Sequence, residues 1–223
     1  MTTESQVFSV RSRGPLAIFT RPEFKAERVS YPVITPSAAR GILEAVLWKP
    51  AMRWSIHRIK VLNPIRFVNV RRNEVTRKAV APSAAVIESG GQPPEYYSDE
   101  DRAQRNTVAL RDVDYVIDAA FEMTSAAGSG DNLNKFTEMF RRRLEKGQHF
   151  HQPYLGCREC VADVLPASGD EVPIGESAEL GLMLWDIEFR PGGNRSFFFD
   201  AALRAGVVAV PTAAAMSREE PVQ

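Results

Sequence analysis

After a polar start, the chain enters a stretch dense in β-branched and aromatic residues, Val7 to Phe19, broken only by Gly14-Pro15, which predicts a strand. Thr35-Pro36-Ser37 then supplies a helix start. Ala38, Ile42, Ala45 and Val46 recur at helical spacing until Pro50 stops the pattern. From Met52 to Val70, the residues Trp54, Ile56, Ile59, Val61 and Ile65 alternate roughly with polar positions, which predicts one long strand bent at Asn63-Pro64. Periodicity is lost between Arg71 and Asn106, where basic clusters, Gly90-Gly91 and Pro93-Pro94 predict a long loop of the functional or mobile kind. Val113 to Met123 predicts a strand. Asp131-Asn132 caps a helix whose apolar face is Leu133, Phe136, Phe140 and Leu144 and which Gly147 ends. Tyr154–Leu165 and Leu180–Phe189 predict further strands, Ser196–Val210 fits helix or strand equally, and the tail after Pro211 is expected to fray.

Up to Leu165 the order is strand, helix, strand, long loop, strand, helix, strand. This is the β-α-β-β-α-β order of a ferredoxin-like, RRM-like split unit. The expectation is an α+β protein with a ferredoxin-like N-terminal domain, residues 1–165, carrying a long 71–106 insertion. A small β-rich C-terminal module, residues 166–223, completes it. Such a fold hosts RNA-binding modules, metal carriers and enzymes alike, so it does not name a function.

With 223 residues, 44% hydrophobic and 25% charged, the composition excludes a mostly disordered chain, a collagen or a coiled coil. No run approaches the roughly 20 apolar residues of a membrane span. The opening MTTESQVFSVRSRG lacks the apolar segment of a signal peptide, and two cysteines make no disulfide framework. These features lead to the expectation of a cytoplasmic protein with no membrane partner. Charge adds something that the total hides. The 28 basic and 28 acidic residues divide into 15 and 5 over residues 1–81, a net of +10, and 13 and 23 over residues 82–223, a net of −10. Either a polyanion binds the basic part or the two parts neutralise each other by packing.

The motifs of P-loop, dinucleotide-binding and α/β-hydrolase proteins are missing, and there is no acidic cluster of the two-metal nuclease kind. Cys157-x-x-Cys160, with His149 and His151 just upstream, offers zinc-type ligands. A period-2 strand would turn the two cysteines to opposite faces, so no metal or cofactor is expected. Arg71, Arg72, Arg77 and Lys78 form one basic cluster and Arg141-Arg142-Arg143 another; each is a solvated charge run or a set of phosphate contacts. Arg40 and Lys49, on and just after the first helix, are further candidate contacts. Tyr96 and Tyr97 either stack on bases or anchor the loop.

The blocks RPEFKAERVSYPVITPSAARGILEAVLWKP, RFVNVRRNEV, DVDYVIDAAFEM and LGCREC resemble, in this order over residues 7–165, the CRISPR-associated family numbered five, in its subtype I-C (Dvulg) branch. The resemblance implies a ferredoxin-like domain with a small C-terminal sheet. It also implies an endoribonuclease that cleaves precursor CRISPR RNA in the repeat, without metal, by attack of the 2′-hydroxyl on the adjacent phosphate. The product's 5′ handle is then kept within the multisubunit Cascade surveillance complex. The implied partners are precursor and mature CRISPR RNA, the other subunits and, beyond them, target DNA. Such cleavage needs a group that takes the 2′-hydroxyl proton, an acid for the leaving 5′-oxygen and a cation for the developing charge.

Relatives that cut RNA place a Tyr or His just before W-K-P and a Lys-His pair early in the second helix. This chain has Leu47 and Lys135-Phe136 at those places. Lys135 is retained as the cation, while Leu47 and Phe136 cannot carry a proton. His149 and His151, whose imidazoles titrate near neutrality, become the candidates for proton transfer. In the other reading they are loop histidines facing water, and the chain is an inactive scaffold that holds RNA through Arg40, Lys49, Arg71, Arg72, Arg77, Lys78, Arg141 and Arg142.

Overall fold

The computed structural model describes residues 4–24, 27–76, 81–91, 95, 97, 99–188, 190 and 192–216. Strand β1, Phe8–Ala17, turns Phe8, Val10 and Ser12 to a buried face and Ser9, Arg11 and Arg13 to the other. A two-residue strand, β2 (Arg28–Val29), follows. Helix α1, Pro36–Val46, begins where sequence places it: the Thr35 hydroxyl accepts the Ala38 N–H at 3.2 Å, and Pro36 fills a first-turn position that needs no donor. The helix buries Ala39, Ile42, Leu43 and Val46, and ends at the extended residue Leu47.

The stretch expected as one bent strand is two strands, β3 (Met52–Val61) and β4 (Phe67–Val75). Pro64 has no N–H to give a ladder, so pairing stops there rather than bending. The expected 71–106 loop is corrected further. Strand β4 continues to Val75, a short helix α2 (Ala84–Glu88) is capped by Ser83, and β5 begins at Arg102. Strand β5 is 22 residues long, Arg102–Met123. Its first half pairs with β4 and β2, and its second half with β1 and β3. The β4–β5 hairpin thus forms an arm continuous with the main sheet. It escapes periodicity because alternate β4 residues are exposed while those between are only half-buried, so polar residues occupy both faces.

Helix α3, Leu133–Glu145, presents Phe136, Phe140 and Leu144 to the core, and Gly147 ends it with φ 61°. The strand expected over Tyr154–Leu165 shrinks to β6, Asp163–Pro166; Tyr154 and Val161 make only an isolated bridge. Strand β7 spans Ala178–Glu188. The ambiguous Ser196–Val210 region resolves as β8 (Arg195–Arg204) and β9 (Val207–Ala209), joined by a turn with positive φ at Ala205 and Gly206. A short helix α4, Ala213–Met216, stands after Pro211 where fraying was expected; the rest of that tail lies outside the described residues.

The protein mixes α and β, with few helices and a mostly antiparallel sheet. The strand order is β6-β1-β5-β3-β9-β8-β7, and β2 and β4 flank β5. Among the described residues the β2–β5 pair alone is parallel. The later strands join the same sheet through β9 on β3. Helices α1 and α3 cover a core centred on Phe8, Trp54, Phe121 and Phe140, whose rings meet at 4.6–6.2 Å in mostly edge-on contacts. No helix among the described residues is long and apolar enough to cross a membrane.

The segment after β6 runs from β1 to β3, since the Ala167 N–H donates to Ser9 and the Ile174 N–H to Val61. Within it the Glu171 carboxylate accepts the N–H groups of Ser168 at 2.7 Å and Gly169 at 3.0 Å. Burial pushes this carboxyl up, but those donors pull it down to about 2. A depressed carboxyl stabilises the fold above its unfolded pKa, and that stabilisation is lost as pH falls toward the folded value. Glu171→Gln is therefore expected to lower the melting temperature at pH 7, with the gap to wild type closing between about pH 5 and pH 2. Thermal unfolding across that range checks it; a gap independent of pH counts against it.

Candidate active site and nucleic-acid interface

The start of α3 is built from its own sequence. The Asn132 side chain accepts the Lys135 N–H at 2.9 Å, which fixes the first turn. The Lys135 ammonium folds back to Asp131 at 2.9 Å and to the Gly130 carbonyl at 3.3 Å, and lies 5.6 Å from the Phe136 ring centre. Asp131 also accepts the Gly128 N–H at 3.1 Å. The Lys135 hydrogen bond, with the Gly128 donor and the nearby Lys49 charge, holds the Asp131 carboxyl below its ordinary range. The chain that leaves α1 after Lys49 is pinned beside the end of β5. Thr124 donates its N–H to Ala51 and its hydroxyl to Pro50. Trp48, next to Lys49, is 54% exposed. The Lys135 ammonium beside the first turn of a helix, with the Lys49 charge felt at Asp131, suits a phosphate once it exchanges Asp131 for it.

Leu47 and Phe136 are core residues. Leu47 is fully buried with its carbonyl accepting the Trp54 indole N–H at 3.0 Å, and Phe136 lies 6.5 Å from the Phe121 ring. His149 and His151 lie beyond the opposite end of α3. There, Phe150 donates its N–H to Ala45 and Arg143 donates to the Val46 carbonyl at 2.8 Å. His149 lines an open cleft of about 870 Å³ with Arg13, Arg143, Gln148, Gln152 and Asp163, and His151 is exposed beside Phe150. About 15 Å of helix separates Lys135 from Glu145, and the Lys135 side chain points the other way, toward Asp131. The fold does not bring Lys135 and the histidine pair to one phosphate.

The other sequence-selected cations occupy different surroundings. Arg40 pairs with Asp186 and, at 3.3 Å, with Glu44, so it ties α1 to β7. Arg141 pairs with Glu138, whereas Lys49, Arg71 and Arg142 are exposed and have no ion pair among the described residues. Arg72 is half-buried between Glu74 and Glu159. Arg77, Lys78 and Tyr96 lie outside the described residues; the exposed Tyr97 donates its hydroxyl to Glu95.

Cys157 and Cys160 are not on opposite faces of a strand. The Cys160 N–H donates to the Cys157 carbonyl at 2.9 Å, closing a turn. Burial pushes the Cys160 thiol up to about 11, while Cys157 lies 3.5 Å from Arg28. No group of three or more His, Cys, Asp or Glu is placed to hold a metal among the described residues.

Sequence reasoning passed over Asp131, Arg28, Arg105 and Glu74. The first had a local signal, an acid four residues before a lysine across a helix cap. Arg28 and Glu74 stand inside the quoted blocks without having been singled out, and Arg105 is brought beside them only by strand pairing.

The family model for Cas5d proteins, "CRISPR-associated protein (Cas_Cas5)", matches residues 8–204. A curated "CRISPR pre-crRNA endoribonuclease Cas5d" of Mannheimia succiniciproducens is 48% identical over 207 residues, covering 89% of this chain and 92% of its own. One of the same name from Thermus thermophilus is 40% identical over 220 residues, covering 91% and 90%. The crystal structure of a CRISPR-associated protein superposes with a TM-score of 0.71 at 23% identity, covering 96% of both chains, a likeness of fold.

Proposed function

Because this chain belongs to the Cas5d family of CRISPR-associated proteins, we propose that it is an endoribonuclease that cleaves precursor CRISPR RNA within the repeat. The observation that carries this is similarity over nearly the whole chain to two relatives named for that activity. The product's 5′ handle then stays bound as the chain joins the other subunits of a subtype I-C surveillance complex and, through it, target DNA.

Residues 1–165 form the RNA-binding unit and residues 166–223 the smaller β-rich one. The order β6-β1-β5-β3, with β5 inserted between β1 and β3 and helices α1 and α3 on the two crossovers, supports reading the larger unit as ferredoxin-like.

Cleavage by the neighbouring 2′-hydroxyl needs the nucleophile in line with the leaving 5′-oxygen and charge neutralised on the phosphate. Lys135 supplies that charge, oriented by Asp131 and reinforced by Lys49. The exposed Trp48 ring offers a plane on which a flanking base stacks. The place has no side chain matching the proton-transfer groups of cutting relatives, since Leu47 and Phe136 face the core. That observation favours a second reading, a scaffold subunit that holds RNA through its cations and does not cut it.

Incubation with cognate repeat RNA in excess EDTA, beside a strand with a 2′-deoxy sugar at the cut, separates the two readings. Cleavage of the all-RNA strand alone is the expected result. Tight binding of both strands without cleavage establishes the scaffold.

A further inference from the structure

We propose that Cys157 and Cys160 form a reversible redox pair, joined into a disulfide when a peroxide oxidises Cys157 and parted again by a thiol reductant. The inference does not depend on RNA cleavage; it assigns a modification site to the 154–161 loop.

The geometry comes from the turn. The Cys160 N–H donates to the Cys157 carbonyl at 2.9 Å, so the two residues stand at the first and last positions of a hydrogen-bonded turn. Such positions have Cα atoms within about 7 Å, and disulfides join Cα atoms about 4.4–6.8 Å apart. The turn is closed from outside as well. Leu155 donates its N–H to the Cys160 carbonyl at 2.7 Å, Ala162 donates to Pro153 at 3.0 Å, and Tyr154 bridges Val161. Its seat after β1 is equally fixed, since Ile18 donates its N–H to Leu155 at 3.0 Å. Gly156 has φ 86°, and a Cβ there would stand 2.0 Å from the Ile18 carbonyl oxygen. The backbone therefore holds both cysteines in place before any oxidant arrives, and only side-chain rotation remains.

The two thiols are unequal. Cys157 is half-buried, with its sulfur 3.5 Å from the Arg28 guanidinium and 3.8 Å from the Ile18 carbonyl oxygen. Cys160 is 1% exposed, and burial, with the nearby charge of Cys157, pushes its thiol up to about 11. Cys157 is thus the sulfur that an oxidant reaches, while Cys160 keeps its proton until the second step.

In the first step the Cys157 thiolate attacks one peroxide oxygen and the O–O bond breaks. Hydroxide leaves as water with the proton that Cys157 gave up, and Arg28 lies where charge builds on that leaving oxygen. The Cys160 sulfur then attacks the Cys157 sulfenic acid, the S–O bond breaks, and the departing hydroxide takes the Cys160 proton. Two thiols and one peroxide give one disulfide and two waters. To reach Cys160, the Cys157 sulfur gives up Arg28 and the Ile18 carbonyl. Glu159, on the same turn, contacts Arg72 at 3.3 Å. Oxidation is therefore felt on β2 through Arg28 and on β4 through Arg72.

The test brings the full chain to equilibrium with glutathione buffers of graded ratio, folded and in urea, and weighs the acid-quenched protein by mass spectrometry. The bridged chain is about 2 Da lighter. Half-bridging of the folded chain is expected in a buffer about tenfold more reducing than the unfolded chain requires, a difference of about 1.4 kcal/mol. By linkage the bridged chain then melts about 3–6 °C higher. Peroxide is expected to give the same product, and Cys160→Ser to stop at a Cys157 sulfenic acid that dimedone labels.

Thiols that stay reduced in peroxide, a disulfide between two chains on a non-reducing gel, or a Cys157 sulfinic acid beside a reduced Cys160 would each overturn the proposal. So would a folded chain that bridges no more readily than the unfolded one, or that melts lower once bridged. Should Cys160→Ser fail to fold, the wild-type titration decides alone.

Discussion

Lys135→Ala is expected to slow cleavage of repeat RNA by about 10²–10³-fold, the loss found when one preorganised donor to a developing oxyanion is removed. Its affinity for the uncleavable 2′-deoxy strand should fall by less than about tenfold, since the other cations still hold the backbone. The split follows from the geometry. The ammonium is held in place before substrate arrives, by Asp131 at 2.9 Å and the Gly130 carbonyl at 3.3 Å, so little reorganisation is needed as charge builds on the phosphate. Asp131→Asn keeps the shape but weakens that anchor, and should give a smaller loss of rate with the same near-unchanged affinity. Single-turnover cleavage and binding, measured separately, check both variants. A Lys135→Ala protein that cuts at the wild-type rate would remove this end of α3 from the mechanism.

Trp54→Ala should destabilise the fold by about 3–5 kcal/mol, the range for deleting a buried aromatic side chain. The ring is 2% exposed and meets Phe140 at 4.6 Å, Phe121 at 5.2 Å and Phe8 at 5.9 Å, so it joins β1, β3, β5 and α3. Truncation leaves a cavity and also orphans the Leu47 carbonyl, which accepts the indole N–H at 3.0 Å. Because Leu47 closes α1 two residues before Lys49, the same change loosens the approach to Lys135. Denaturant unfolding measures the first effect, and cleavage well below the melting temperature measures the second. A loss under about 1 kcal/mol would mean that the core collapses into the gap.

Elements with one buried face were legible from sequence. Strand β1 and helices α1 and α3 show their period because one side of each packs on the core, whereas the second half of β5 is buried on both faces and was legible as an unbroken run of strand-forming residues. The caps at Thr35 and Asn132 were legible for a local reason, since each bonds to an N–H three residues on. The arm was not legible. Arg71, Arg72, Asn73 and Glu74 show no alternation of apolar and polar residues, and what makes them a strand is the ladder to Gln104, Arg105 and Asn106, about thirty positions away.

The candidate site divides in the same way. Lys135 was a candidate through the resemblance, at the place of a Lys-His pair early in the second helix, and Asp131 lies four residues before it. The expected partnership with His149 and His151 failed on a distance that sequence adjacency hides: a helix lies between them, and closeness along the chain became opposite ends of a rod.

One strand, β5, carries Arg105 in its first half and Phe121 in its second, and the Phe121 ring lies against Phe136, the neighbour of Lys135. Sixteen steps at about 3.3 Å make about 50 Å of chain between the two. Asp112, with φ 52°, is where the strand departs from extended geometry. The arm therefore shares one continuous backbone with the core beneath α3.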